Sequence, residues 1–167
     1  MIKVAIVKGA NPVETMVKAL EMLGSDLDIT LSADKPILIK PNYINAKHPS
    51  TGITTDSRVV EGIVKFLKEC KAKEIIIGEG SGWSDTFQAF KVAGIDAVAE
   101  RWNVKLVDLN KDDFVDVCPP NPLSLRKVKV AKTALQSVIV SVPKLKLHRT
   151  ATVTLGLKNM MGALASK

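Results

Sequence analysis

The sequence predicts an α/β fold: a mostly parallel open sheet with helices on both faces, a Rossmann-like three-layer arrangement, with a short antiparallel excursion around residues 113–131. Short runs of branched apolar residues, the kind that a strand buried on both faces requires, alternate with longer segments whose apolar residues recur three and four positions apart. Gly, Pro and Asn punctuate the joints between them. Strands and amphipathic helices alternating in this way build a parallel sheet.

Taken in order, Ile2–Val7 reads as a first strand that Lys8–Gly9 turns into a helix. Asn11 is the N-cap, Pro12 takes the first helical position, and Val13, Met16, Val17, Leu20 and Leu23 form one apolar face that ends at Gly24. Pro36–Lys40 is the second strand, stopped by Pro41. The loop from Asn42 to about Thr54 has no periodicity and exceeds the usual connection of about 2–6 residues, which favours a binding or lid role. Thr55 or Asp56 caps the next helix, whose buried stripe is Val59, Val60, Ile63, Val64 and Leu67. Glu74–Ile77 is the third strand and GEGSG at Gly78–Gly82 its loop. A helix follows from about Ser84, breaks at Gly94 and resumes through Ile95–Trp102, and Val104–Leu109 is a fourth strand.

The pattern then changes. Phe114–Val117, the turn-rich CPPNP, and the alternating Arg126–Lys132 read as antiparallel edge strands, and Thr133–Gln136 as a brief helical turn. Ser137–Val142 holds four branched apolar residues in six before Pro143, as a fully buried parallel strand would. Beyond it, Val153, Leu157, Met160, Met161 and Leu164 repeat at helical spacing and predict a terminal helix that buries both methionines.

Right-handed crossovers bring the C-terminal ends of parallel strands to one edge, where ligands of open α/β sheets bind. Three loops should share that edge: 40–55, 78–83 and 143–149. The charge distribution singles out the last of these. From Cys118 onward there are nine Lys and Arg and no Asp or Glu, so the first 117 residues carry 15 bases against 17 acids and the net charge of +7 comes from the final third. Lys144, Lys146 and His148 alternate, which in an extended segment points them to one side, and Lys158 and Asn159 follow on the terminal segment.

Convergent lysines beside an imidazole suit a small anion, a phosphate or carboxylate metabolite. Lys40, Lys144 and Lys158 are the ligand-holding candidates with Asn159; His148 and Lys146 are the acid/base candidates; Asn42, Thr54 and Ser81 would orient the ligand. Gly78, Glu79, Gly80 and Ser81 form a loop resembling a phosphate cradle, although the spaced dinucleotide fingerprint and the P-loop pattern both fail. Plainer readings stand beside each: a tight turn for the glycines, a lysine snorkelling to solvent for Lys40, a solvated basic edge for Lys144–His148. A metal held by His148 with Glu79 or Asp56 has little support from one histidine without local spacing, and His48 reads as a surface residue. Cys70 and Cys118 lie 48 positions apart without close His or Cys companions, so no zinc or iron-sulfur motif is present and buried or idle thiols are expected.

Several runs are similar to a known family. ILIKPN at Ile37–Asn42, TTDSRVVEGIVKFL at Thr54–Leu67, EIIIGEGSG at Glu74–Gly82 and VPKLKLHRTATVTLGLKNMMG at Val142–Gly162 resemble the uncharacterised family called domain of unknown function 362. The resemblance implies an α/β fold and no established reaction. Members usually run well beyond this length and some carry a ferredoxin-like iron-sulfur segment, so it also implies that residues 1–167, read as one domain, lack a C-terminal part found in longer relatives. A redox association enters only by that route.

No apolar run reaches the roughly 20 residues that span a bilayer, and Met1–Lys8 leads into a strand pattern rather than a signal peptide, so a cytoplasmic protein without a membrane partner is expected. The functional reading is a small-anion-binding protein, an enzyme or a redox-associated one. Two alternatives compete: a nucleic-acid or acidic-partner module using the basic final third, which 4% aromatic content and the lack of a recognised motif disfavour, and a structural or assembly domain, as a homo-oligomer or against a missing C-terminal domain.

Overall fold

The computed structural model describes residues 3–24, 27 and 34–165. Its centre is a four-stranded, wholly parallel sheet built from β1 (Ile37–Lys40), β2 (Ile75–Glu79), β3 (Lys105–Asp108) and β6 (Val138–Ser141), in the order β3-β2-β1-β6. Leu38 stands beside Ile76 on one side and Ile139 on the other, so β1 is central and its four residues are all buried. The predicted α/β class with a parallel sheet is the observed one.

Alternation along β1 divides the core. Ile37 and Ile39 face a large cluster with α2 (Ser57–Glu69), α3 (Thr86–Ala93) and α4 (Ile95–Trp102), whereas Leu38 faces a smaller cluster with Leu109, Ala131, Ala134 and Ala163. The second face is therefore covered by the antiparallel pair β4 (Phe114–Val117) and β5 (Val128–Ala131), the short α5 (Lys132–Gln136) and the C-terminal turn, rather than by long helices. The excursion expected around residues 113–131 is this pair.

Local signals explain the helix ends. The side chain of Asn11 accepts from the N–H groups of Val13 at 3.0 Å and Glu14 at 3.4 Å and opens α1 (Pro12–Glu21). Asp56, not Thr55, caps α2 by accepting from Arg58 N at 2.9 Å. Gly94, at φ +79°, ends α3 and begins α4. Helix α1 crosses α2 at Gly62, where a side chain would stand 2.7 Å from the Val13 carbonyl oxygen.

Four expectations about particular segments and residues are corrected. Residues 3–9 form no strand: Val4 and Ile6 are 80% and 89% exposed, and the segment from Ala5 to Gly9 lies beside α1, drawn along the helix pair instead of into the sheet. Ile2 lies outside the described residues. Strand β6 is an edge strand rather than a fully buried one, its burial alternating because only β1 pairs with it. The terminal segment is not one helix: Val153 belongs to β8 (Thr152–Thr154), which pairs antiparallel with β7 (Lys146–His148), and only the single turn α6 (Gly156–Asn159) and a 3₁₀ turn at Met160–Ala163 follow. Leu157 is almost wholly exposed and Met161 is partly so, while Asn159 is buried. Cys70 and Cys118 form no disulfide and are exposed, not buried.

Candidate functional site

The ends of β1 and β2 place two opposite charges side by side inside the protein. Lys40 is fully buried, and its Nζ lies 2.6 Å from Glu79 Oε1. A buried carboxylate needs its remaining lone pairs occupied. Glu79 Oε1 also accepts from Gly80 N at 2.8 Å, and Oε2 from Tyr43 N at 2.9 Å. Lys40 in turn donates to the Pro41 carbonyl at 3.1 Å and to Asn159 Oδ1 at 3.4 Å. Gly162 closes the pair from above: a Cβ there would collide with Glu79 Oε1 and stand 2.7 Å from Lys40 Nζ.

A pair of amides carries the network outward. Asn159 donates through Nδ2 to the Lys40 carbonyl at 2.9 Å and to Ser141 Oγ at 3.1 Å, and accepts at Oδ1 from Asn42 Nδ2 at 3.2 Å. The Oδ1 of Asn42 accepts from Lys146 Nζ at 2.6 Å, and Lys146 donates again to the Ile53 carbonyl at 2.6 Å. Thr55 ties the loops behind them, accepting from Asn42 N at 2.9 Å and donating to the Val142 carbonyl at 2.8 Å. The chain segments that follow β1, β2 and β6 thus meet at one edge of the sheet.

They enclose a cavity of about 270 Å³. Its polar lining residues include Asn42, Glu79, Lys146, His148, Thr154 and Lys158, and its apolar ones are Ile44, Trp83 and Met161. Lys146 and Lys158 make no ion pair among the described residues. Burial holds the Lys146 amine below the ordinary lysine range; Glu79 partly offsets this, while Lys158 and Lys144 push further down. Thr154 is 3% exposed and its hydroxyl oxygen has no hydrogen-bond partner. His148 Nδ1 accepts from the N–H groups of Thr150 at 3.3 Å and Ala151 at 3.2 Å, which sets the neutral ring tautomer with its proton on Nε2.

The remaining sequence candidates go elsewhere. Gly78 lies within β2, not in a loop, packed against Leu38 and Leu109. The cradle's N–H groups are already taken: Gly80 N by Glu79, Ser81 N by Thr86 Oγ1 at 3.2 Å, and Gly82 N and Trp83 N by the Ile44 carbonyl at 3.1 and 3.0 Å. The anion that this loop holds is the chain's own carboxylate. Ser81 donates its hydroxyl to the Tyr43 carbonyl at 2.5 Å, and Thr54 to the Lys47 carbonyl at 2.9 Å, so neither lines the cavity. Lys40 sits beneath the cavity and does not line it, and Lys144 faces Asp56, whose carboxyl it helps hold below the usual range after the larger contribution of Arg58. His48 caps the short turn at Pro49–Thr51 through Nδ1. Thr55, Thr154, Trp83 and Gly162 were missed; Thr154 becomes legible once the alternation Thr152-Val153-Thr154 is read as strand rather than helix. No group of three or more His, Cys, Asp or Glu that could hold a metal occurs among the described residues.

Comparison with known proteins covers this same region. The family model described as "Domain of unknown function (DUF362)" matches residues 37–167, from the first residue of β1 to the last of the chain. The chain belongs to the DUF362 family. It is also similar to the thylakoid-associated protein sll1697 of Synechocystis sp., with 23% identity over 149 residues, covering 89% of this chain and 44% of that protein. The chain thus spans less than half the length of that curated relative. No solved structure matches it. The DUF362 match contains every residue of the buried network and of the cavity, whereas the segment 3–9 and helix α1 fall outside it. No described helix of this DUF362 chain is long and apolar enough to cross a membrane.

Proposed function

We propose that the cavity binds a small anion, a phosphate or carboxylate metabolite, in a cytoplasmic protein. One observation carries the reading: the cavity presents Lys146 and Lys158 without a carboxylate partner, while the nearest acid, Glu79, is neutralised by Lys40 beneath it. Its free polar groups are donors, namely two ammonium groups, the Nε2–H of His148 and the unpartnered hydroxyl of Thr154, and a donor-rich pocket calls for an acceptor-rich ligand. Of the residues that sequence alone nominated, Asn42, Glu79, Gly80, Lys146, His148, Lys158 and Asn159 line it, and Lys40 supports it from below. Lys146 and His148 hold the ligand in this reading, and Asn42 and Asn159 position Lys146.

Isothermal titration with inorganic phosphate at constant ionic strength tests it. Binding that falls at least about tenfold in both Lys146→Gln and Lys158→Gln supports the reading. Absence of binding by inorganic phosphate, acetate and their phenyl counterparts at millimolar concentration removes it.

A second reading, an assembly domain, is favoured by the outer side of the β7–β8 hairpin. Leu147 and Val153 are cross-strand partners on that side, Leu145 and Leu155 continue it, and Leu147 is 88% exposed. The longer relative and its thylakoid association suit a surface that docks on another domain or subunit. Sedimentation of this chain beside a version extended to the length of that relative separates the two readings. A steep salt dependence of nucleic-acid binding would instead favour a module acting through the basic final third.

A further inference from the structure

The cavity has a second character that charge does not explain. Ile44, Trp83 and Met161 share the lining with the lysines, and Trp83 is 82% exposed with no ring or cation stacked on it among the described residues. Its backbone is not loose, since Gly82 N and Trp83 N both bond the Ile44 carbonyl and so join the two loops carrying Ile44 and Trp83. Exposed tryptophan on a fixed backbone at the mouth of a cavity is a surface that a flat ring can cover. The volume agrees: about 270 Å³ far exceeds the roughly 10–15 Å³ that a single water-sized sphere needs, leaving room for a body larger than a bare phosphate or acetate.

We infer that the ligand is an organic anion with a planar apolar body, its anionic end on Lys146, Lys158 and Thr154 and its ring against Trp83 and Ile44. This rests on the anion-binding reading and adds the class of molecule that carries the anion. Two cations at one end favour a doubly charged group, and the buried Thr154 hydroxyl gains the partner it lacks. Glu79 does not repel the ligand, because Lys40, Gly80 N and Tyr43 N already engage both of its oxygens.

The test is calorimetric titration of phenyl phosphate against inorganic phosphate, on the same chain and on Trp83→Ala, with benzoate against acetate as the carboxylate pair. Phenyl phosphate should bind at least about tenfold more tightly than inorganic phosphate, and the advantage should shrink below about threefold in Trp83→Ala. Benzoate and acetate should show the same ordering. Equal binding of both phosphates, or an advantage that survives Trp83→Ala, overturns the planar-body inference while leaving anion binding intact. Binding of none of the four anions overturns both together.

Discussion

Lys40 and Lys146 touch the same pair of amides, Lys40 through Asn159 and Lys146 through Asn42, yet they stand in opposite electrostatic situations. Lys40 has a carboxylate at 2.6 Å and no access to solvent. Lys146 has two neutral oxygens at 2.6 Å, a neighbouring lysine and an open cavity. A buried charge with a partner is part of the scaffold, because removing either member strands the other in low dielectric. A half-buried charge without an acid keeps its interaction energy available for a ligand. The contrast teaches that at this sheet edge the partner, not the residue type, separates architecture from site.

The largest effect should come from breaking the inner pair. Lys40→Met leaves Glu79 buried without its cation and should cost about 3–5 kcal/mol in a urea melt. Lys40→Met with Glu79→Gln should recover part of that loss, and a double variant as unstable as the single one would show that the pair is not what holds these strands. Next comes the lid on that pair. Gly162→Ala puts a methyl group against Glu79 Oε1 and Lys40 Nζ, and overpacking of this kind should cost about 1–3 kcal/mol by thermal denaturation.

The outer lysines should behave conversely. Lys158→Gln removes an unpaired cation that disfavours its neighbour's charge, so stability should change by no more than about 0.5 kcal/mol while phosphate affinity falls. A Lys158 variant that unfolds like Lys40→Met would erase the distinction drawn above.

The smallest and most diagnostic effect is in pH. The folded Lys146 amine sits below its ordinary value of 10.5, so between the lowered value and 10.5 the unfolded chain binds more protons than the folded one. Stability attributable to this group therefore rises with pH across that window. Anion affinity should move the other way, weakening on the alkaline side below pH 10.5 as the amine loses its charge. The alkaline limb should vanish in Lys146→Gln, and its persistence there would assign the titration to another group.

Much of this was legible in the chain. The apolar triplets Ile37–Ile39 of β1 and Ile75–Ile77 of β2 and the stripe of α2 could be read because burial on two faces, or on one helical face, leaves its mark in the sequence. The turn residues Asn11, Pro12, Asp56 and Gly94 announced helix ends through backbone chemistry that acts locally. That Lys146 and His148 share one side was legible because polar side chains two positions apart in a strand do so, while Lys144, which precedes β7, does not line the cavity. Two segments misled for one reason. Residues 2–7 carry a strand pattern but no described strand pairs with residues 3–7, and residues 153–164 carry a helical spacing that β8 and two short turns share. Periodicity reports what a segment could do, and pairing depends on what is free beside it.

The sequence by itself determined the fold class, the strand ends that form the rim and the sign of the charge gathered there, because all three are written in spacings of a few residues. Tertiary structure alone decided that Lys40 is consumed by Glu79 while Lys146 is not, that the glycine-rich loop wraps its own carboxylate, and that Thr154 and Trp83 enter the cavity. The fate of Lys40 depends on residues 39 and 119 positions away, Glu79 and Asn159, and no local pattern records which of two chemically identical side chains meets a counter-charge.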